Sequence, residues 1–359
     1  MRQPAHGGNL AWAAALAGCP PNAILDFSAS ISPLGPPNSA IAAILSQIGN
    51  LKHYPDPNYS ELRLALSHFH QLPPEWILPG NGSAELLTLI GRELAQLAAT
   101  ILITPAFGDY YRTLKAYDAK VLECTLSLVI GHWSLVISPL SFANDKGQRT
   151  RDKGLLLNNP HNPTGKLFSR DSILPYLEQF ALVVVDEAFM DFVPPNEEQS
   201  LIPVVQEYPN LVVLRSLTKF YSLPGLRLGY AIAHPDCLAK WQLWRDPWPV
   251  NTLAAAAAIA ALQDTEFQQQ TWAWLPPARN QLFQGLAEIP GLQPQASAAN
   301  FLLVESQQST LQLQQQLLKH HQILIRDCLS FQELGDRFFR VAVREESDNQ
   351  RLLTALKES

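Results

Sequence analysis

Charge is scarce in this chain, and cysteine scarcer still. Only 16% of the 359 residues are Asp, Glu, Lys or Arg, and their formal sum is −6. That balance leaves no basic excess, so neither nucleic acid nor an anionic membrane is an expected partner. The four cysteines, Cys19, Cys124, Cys237 and Cys328, stand far apart, with no CxxC pair and no Cys/His ligand spacing. A metal site is therefore not expected, and reduced thiols of a cytoplasmic protein are. No apolar run reaches transmembrane length. The segment Leu10 to Cys19 ends in Leu-Ala-Gly-Cys and imitates a lipoprotein cleavage site, but its apolar stretch is short and Arg2 is the one clear positive charge before it. A short alanine-rich helix is the expectation there. Proline is abundant at 28 residues, yet it is dispersed over turns and marks no linker. The glutamine-rich stretch from 307 to 316 carries leucines and reads as the wet side of an ordinary helix.

Between about residues 41 and 250, apolar strands alternate with amphipathic helices, the pattern of a mostly parallel sheet covered on both faces. The expected strands are Ala99–Ile103, Lys120–Cys124, Gly154–Leu157, Leu182–Val185, Leu211–Leu214 and Leu228–Ala233. Residues 1–40 read as an arm with a short helix, 41–250 as a large domain, and 251–359 as a small α+β domain. The last opens on the alanine run Leu253–Leu262, with strands expected at 300–304, 323–325 and 338–343.

Three of these strands end in residues suited to chemistry. Leu211–Leu214 runs into Ser216-Leu-Thr-Lys219, with Gly225-Leu-Arg227 eight residues beyond the lysine. An amine delivered with two hydroxyls and a guanidinium can bind a phosphorylated aldehyde, the amine by imine formation and the others by neutralising the phosphate. The competing reading is a polar-capped strand end with a snorkelling lysine. Val183-Val-Val-Asp186-Glu187 ends in carboxylates, and a carboxylate at that tip can keep a pyridine nitrogen cationic. Leu155-Leu-Leu-Asn158 leads into Pro-His-Asn162-Pro-Thr-Gly165, where Asn162 can donate to a phenolate oxygen.

In this order and spacing, Asn162-Pro-Thr-Gly, Asp186-Glu-Ala, Ser216-Leu-Thr-Lys219 and Gly-Leu-Arg227 resemble the fold-type I enzymes that use pyridoxal 5′-phosphate (PLP). The resemblance implies an α/β fold with a mostly parallel central sheet flanked by helices, plus a small α+β domain into which the arm packs. It also implies PLP as cofactor, with Lys219 and Asp186 catalytic. Gly80-Asn81-Gly82-Ser83 fits the family's helix N-terminus in the phosphate cup, so Asn81, Gly82 and Ser83 join Ser216, Thr218 and Arg227 there. Phe107 is the expected stacking ring, and Phe189 stands where many aminotransferases carry a tyrosine. Tyr54, in His53-Tyr-Pro-Asp-Pro-Asn58, corresponds to a residue that reaches the neighbouring subunit's cofactor phosphate, which implies a homodimer with shared sites.

Within that superfamily the chain is similar to the histidinol-phosphate aminotransferase-like group. Its segments His6-Gly-Gly-Asn9, Asp26 to Pro37, Asp246 to Asn251 and Leu324 to Cys328 look like the L-threonine-O-3-phosphate decarboxylases of cobalamin synthesis. The implied reaction is decarboxylation of a small phosphorylated amino acid, with histidinol-phosphate transamination as the alternative and a non-catalytic PLP-fold sensor as a remote one. Arg340 is expected to bind the substrate carboxylate through its planar fork, or else to pair with Glu345 or Glu346. His6, Ser30, Arg326 and Arg344 are the nominees for the substrate phosphate, beside Asn162, and Arg344 is expected on the same strand face as Arg340. Ser30 and Ser32 replace asparagines of the resembled group.

Overall fold

The structure, a computed structural model, describes residues 6–129, 132–134 and 150–359. Arg2 and the first five residues of the expected arm lie outside them. In chain order the strands are β1 (Leu25–Asp26), β2 (Ile77–Asn81), β3 (Ala99–Thr104), β4 (Val121–Thr125), β5 (Ser127–Val129), β6 (His132–Ser134), β7 (Lys153–Asn158), β8 (Leu182–Asp186), β9 (Leu211–Ser216), β10 (Leu228–Ala233), β11 (Leu292–Pro294), β12 (Phe301–Ser306), β13 (Ile323–Leu324), β14 (Arg326–Asp327) and β15 (Phe338–Ala342). The main helices are α1 (Leu10–Ala17), α2 (Asn38–Gln47), α3 (Ser60–His70), α4 (Gly82–Leu94), α5 (Gly108–Ala116), α6 (Arg170–Leu177), α7 (Pro235–Gln242), α8 (Thr252–Gln263), α9 (Thr265–Ala287), α10 (Thr310–Gln316) and α11 (Glu346–Lys357).

Seven strands form one sheet in the order β2-β10-β9-β8-β7-β3-β4. Only β10 runs antiparallel to its neighbours; the other pairs are parallel. Every residue of β3, β7, β8 and β9 is buried, as a sheet covered on both faces requires. Strand alternation divides their side chains cleanly. Leu102, Leu156, Val184, Val212 and Leu214 pack with α4, α5 and α7 on one face. Ile101, Leu155, Val183, Val185 and Val213 belong to the larger core on the other. The small sheet is antiparallel, β11-β12-β15-β14, and β1 from the N-terminal segment pairs with β13.

Several expected strands end one or two residues later than their apolar runs. Asn158, Asp186 and Ser216 are the last residues of β7, β8 and β9. Strand β2 was not expected, because Pro79 and Gly80 interrupt it; it survives as an edge strand paired with β10 alone, where a proline is tolerated. The expected strand at 323–325 is two: the chain leaves β1 at Leu324 and joins β15 from Arg326.

Helices α4 and α5 pack tightly at Gly91, where a Cβ would lie 2.6 Å from the Thr113 carbonyl oxygen. The Thr113 hydroxyl donates to Leu87 O at 2.6 Å and holds the pair at that separation. Gly91→Ala is expected to cost about 1–3 kcal/mol through this overpacking. A denaturation midpoint equal to wild type would show that α5 moves aside freely.

Candidate active site

The parallel strands deliver their last residues to one rim of the sheet. Asn158 and Asp186 are register partners across β7 and β8, and Gly229 sits between Ser216 of β9 and Gly80 of β2. The sheet order therefore gathers the start of α4, the Ser216–Lys219 turn and Asp186, which are far apart in sequence.

Asp186 is buried. Tyr110 OH donates to its Oδ2 at 2.8 Å, and the Ala188 N–H donates to Oδ1 at 3.0 Å. Burial raises its pKa, while Lys219 and the two hydrogen bonds favour the carboxylate. Lys219 is half-buried, with Nζ 5.1 Å from the centre of the Phe189 ring. Burial lowers the pKa of its amine, Asp186 opposes that shift, and Arg227 and Arg340 add to it. The turn that carries Lys219 is tied to the N-terminal segment: Ser32 N donates to Lys219 O at 2.9 Å, and Ser222 Oγ donates to Ser32 O at 2.6 Å.

At one end of the site lies a cradle suited to a phosphate. Helix α4 starts at Gly82, which has φ +72°, and a Cβ there would stand 2.6 Å from an Arg227 guanidinium nitrogen. A Cβ on Gly229 would be 2.7 Å from Ser83 N, so that turn also admits only glycine without displacement. Ser216 Oγ and Thr218 Oγ1 lie 2.8 Å apart. Backbone donors at a helix N-terminus, two hydroxyls and an exposed guanidinium make a donor set that fits a phosphate dianion. With Lys219 and Asp186 beside it, this set can hold PLP. No group of three or more His, Cys, Asp or Glu suited to a metal occurs among the described residues.

At the other end is a cavity of about 220 Å³, whose lining includes His6, Ser28, Ser30, Phe107, Asn162, Thr218, Lys219, Arg326, Ser330 and Arg340. His6 is exposed at this wall, its ring 5.5 Å from that of Phe107. Arg340 is buried and forms no salt bridge among the described residues; one of its terminal nitrogens donates to Asn162 Oδ1, and Nε has no partner. The alternative pairing of Arg340 with Glu345 or Glu346 is thus not what the structure shows. Burial and the nearby Arg326 bring the Arg340 pKa down to about 10. A buried, incompletely paired guanidinium of this kind calls for an anion in the cavity.

Two nominees are elsewhere. Strand β15 stops at Ala342, and α11 begins at Glu346, which puts Asp348 one turn from Arg344. Arg344 Nε donates to Asp348 Oδ2 at 2.8 Å and a terminal nitrogen to Asp26 O at 3.2 Å; it does not line the cavity, contrary to expectation. Tyr54 is 79% exposed and stacks on Trp248, ring centres 4.5 Å apart, also away from the cavity. Conversely, Tyr110, whose hydroxyl reaches Asp186, and Ser28, at the cavity wall, belong to the site without any motif that marks them. Nothing in a linear pattern separates Tyr110 from an ordinary core tyrosine.

The turn after β7 makes a further demand. His161 is wholly buried, its Nδ1 is 2.9 Å from Thr164 Oγ1, and burial pushes its pKa down to about 3. An unfolded histidine titrates near about 6.5, so the unfolded chain binds the extra proton between these values and stability falls as pH drops through that window. In His161→Gln the loss of stability between pH 6.5 and 4 should be shallower than in wild type, by up to about 1.4 kcal/mol per pH unit. Parallel pH profiles of the two proteins would refute a buried neutral His161.

The model of the family "Aminotransferase class I and II" matches residues 22–356. A threonine-phosphate decarboxylase of Salmonella typhimurium is 39% identical across 98% of this chain and 96% of its own. A histidinol-phosphate aminotransferase of Symbiobacterium thermophilum is 33% identical across 91% of this chain and 88% of its own. The crystal structure of a histidinol-phosphate aminotransferase from Sinorhizobium meliloti in complex with pyridoxal-5′-phosphate matches with a TM-score of 0.84 at 22% identity, covering 98% of this chain and 94% of that one, a likeness of fold. On the length and strength of these matches, the chain belongs to the aminotransferase class I and II family.

Proposed function

We propose that this protein is a PLP-dependent lyase that decarboxylates L-threonine O-3-phosphate to (R)-1-amino-2-propanol phosphate, for cobalamin biosynthesis. The observation that carries the reading is the cavity beside Lys219, which combines the incompletely paired, buried Arg340 with Arg326 and His6. A substrate with a carboxylate at one end and a phosphate at the other answers that much positive charge; a simple amino acid does not. The 39% identity to a threonine-phosphate decarboxylase over nearly the whole chain supports it.

When bound, PLP supplies an aldehyde for the amine and a ring that delocalises the electron pair left at Cα. Lys219 would hold the aldehyde through Nζ, and Lys219 or water would supply the proton that Cα takes up in place of CO2. Asp186, steadied by Tyr110 and the Ala188 N–H, keeps the ring nitrogen protonated. Asn81, Gly82, Ser83, Ser216, Thr218 and Arg227 bind the cofactor phosphate, and Phe107 covers the ring face. Asn162 has Oδ1 engaged by Arg340, so its Nδ2 is the group available to the ring oxygen. Arg340 takes the substrate carboxylate, while His6, Ser30 and Arg326 take its phosphate; Arg344 serves Asp348 and Asp26 instead.

The same proposal includes a cytoplasmic homodimer in which Tyr54 of one protomer completes the other's phosphate cup. Leu45, Leu51 and Tyr54 are 64%, 59% and 79% exposed, an apolar surface that a second copy would cover. The division into an arm (1–40), a large domain (41–250) and a small domain (251–359) is part of this reading. Histidinol-phosphate transamination is the second reading, favoured by the 33% identity to an enzyme of that name.

Purified protein loaded with PLP, given O-phospho-L-threonine and no keto acid, is expected to release CO2 with stoichiometric aminopropanol phosphate. Amino transfer from histidinol phosphate to 2-oxoglutarate without CO2 release would favour the second reading instead. Lys219→Ala should lose turnover and the visible absorbance of the lysine-bound cofactor; retained turnover would remove Lys219 from its assigned role. Arg340→Ala should weaken substrate binding by about 2–5 kcal/mol, because a buried charge contact is lost. Unchanged kinetic constants would reduce Arg340 to a packing residue.

A further inference from the structure

We propose that Ser28 is a positioning residue, a latch that fixes the N-terminal arm across the cavity and thereby sets His6. The hydroxyl of Ser28 donates to Asp26 Oδ1 at 2.6 Å, and the Ser28 N–H donates to the same oxygen at 2.7 Å. A serine hydroxyl has one proton, and Asp26 takes it. The lone pairs of Oγ are left facing the arm, where the Gly8 N–H donates to Oγ at 2.8 Å. Arg344 donates to Asp26 O at 3.2 Å and so braces the residue that orients the hydroxyl.

The fit of the arm requires glycine at two successive positions. A Cβ on Gly7 would lie 2.2 Å from the Ser28 carbonyl oxygen and 2.7 Å from its carbon, both backbone atoms. Gly8 has φ +80°, a conformation that side-chain-bearing residues rarely adopt. The two glycines let the arm lie directly on Ser28, which leaves His6 against Phe107 at the cavity wall. The Ser28 carbonyl also faces Arg340, at 3.4 Å from a terminal nitrogen. One residue therefore touches the arm, its own orienting carboxylate and the cavity guanidinium.

The kinetic part of the test rests on the function proposed above; the structural part does not. Wild type, Ser28→Ala and Gly7→Ala, all PLP-loaded, are compared by hydrogen–deuterium exchange and by steady-state kinetics with O-phospho-L-threonine. Both variants should exchange about tenfold faster in peptides covering residues 6–17, with β7, β8 and β9 as protected as in wild type. Both should raise KM about tenfold and change kcat less than twofold. Gly7→Ala keeps the Asp26 and Ser28 side chains and forces the arm off the Ser28 carbonyl, so it must reproduce both effects. Unaltered exchange of the arm would overturn the latch, as would a uniform loss of protection across the sheet in Ser28→Ala. A wild-type enzyme inactive on this substrate would count against the proposed function, while the exchange data would still decide the latch.

Discussion

Arg340 carries its charge into a cavity wall where no carboxylate of the described residues pairs with it, and much of the surrounding structure holds it there. Its backbone is fixed by register pairing with Leu303 on one side and Arg326 on the other. Its guanidinium carbon lies 4.7 Å from the centre of the Phe301 ring, where the ring's negative face offsets part of the cost of burial. Asn162 accepts one of its N–H groups. These contacts are weak beside the several kcal/mol that an uncompensated buried ion costs. An anion that enters the cavity relieves that cost, so ligand binding and stability are coupled in this protein.

The cluster around Arg215 follows the reverse arrangement, with more negative charge than positive. Arg215 meets Glu187 at 3.0 Å, Glu198 at 2.5 Å and also Asp191. Glu187 follows Asp186, and Arg215 precedes Ser216. Adjacent residues at a strand end face opposite ways, so this cluster and the site share two strand tips. The Glu187–Arg215 pair cross-links β8 to β9 directly beneath the residues that face the cofactor cradle. Asp191 favours the charged form of Lys219, yet burial outweighs it together with Asp186 and leaves the amine's pKa lowered.

What could be read from the chain follows from how local the determinants are. Runs such as Val183-Val-Val and Leu211-Val-Val-Leu announce buried parallel strands, and the polar residues that end them mark the rim of the sheet. Strand β2 is illegible because its stability comes from β10, far along the chain, and not from its own Pro79 and Gly80. Arg344 was misassigned by extending strand alternation past Ala342; the start of α11, which supplies Asp348, redirects it. Tyr110 acts through one hydrogen bond to a distant carboxylate, and Ser28 through several contacts that only the folded arm brings together, and no spacing rule encodes those.

The departures at positions 30, 32 and 189 change what the site relies on. Ser32 is tied through its backbone to Lys219 and Ser222 and does not line the cavity, so a shorter side chain there alters little at the ligand. Ser30 does line it, and its hydroxyl has no partner among the described residues, which leaves a neutral donor free near the guanidinium groups of Arg326 and Arg340. Phe189 offers Lys219 a ring face in place of a hydroxyl and packs edge-on against Phe301, the ring beneath Arg340. Lys219 thus lies between two cationic ends, Arg227 and Arg340, and each lowers its proton affinity. An anion bound at either end cancels part of that effect. The lysine amine regains affinity for a proton as the two ends fill.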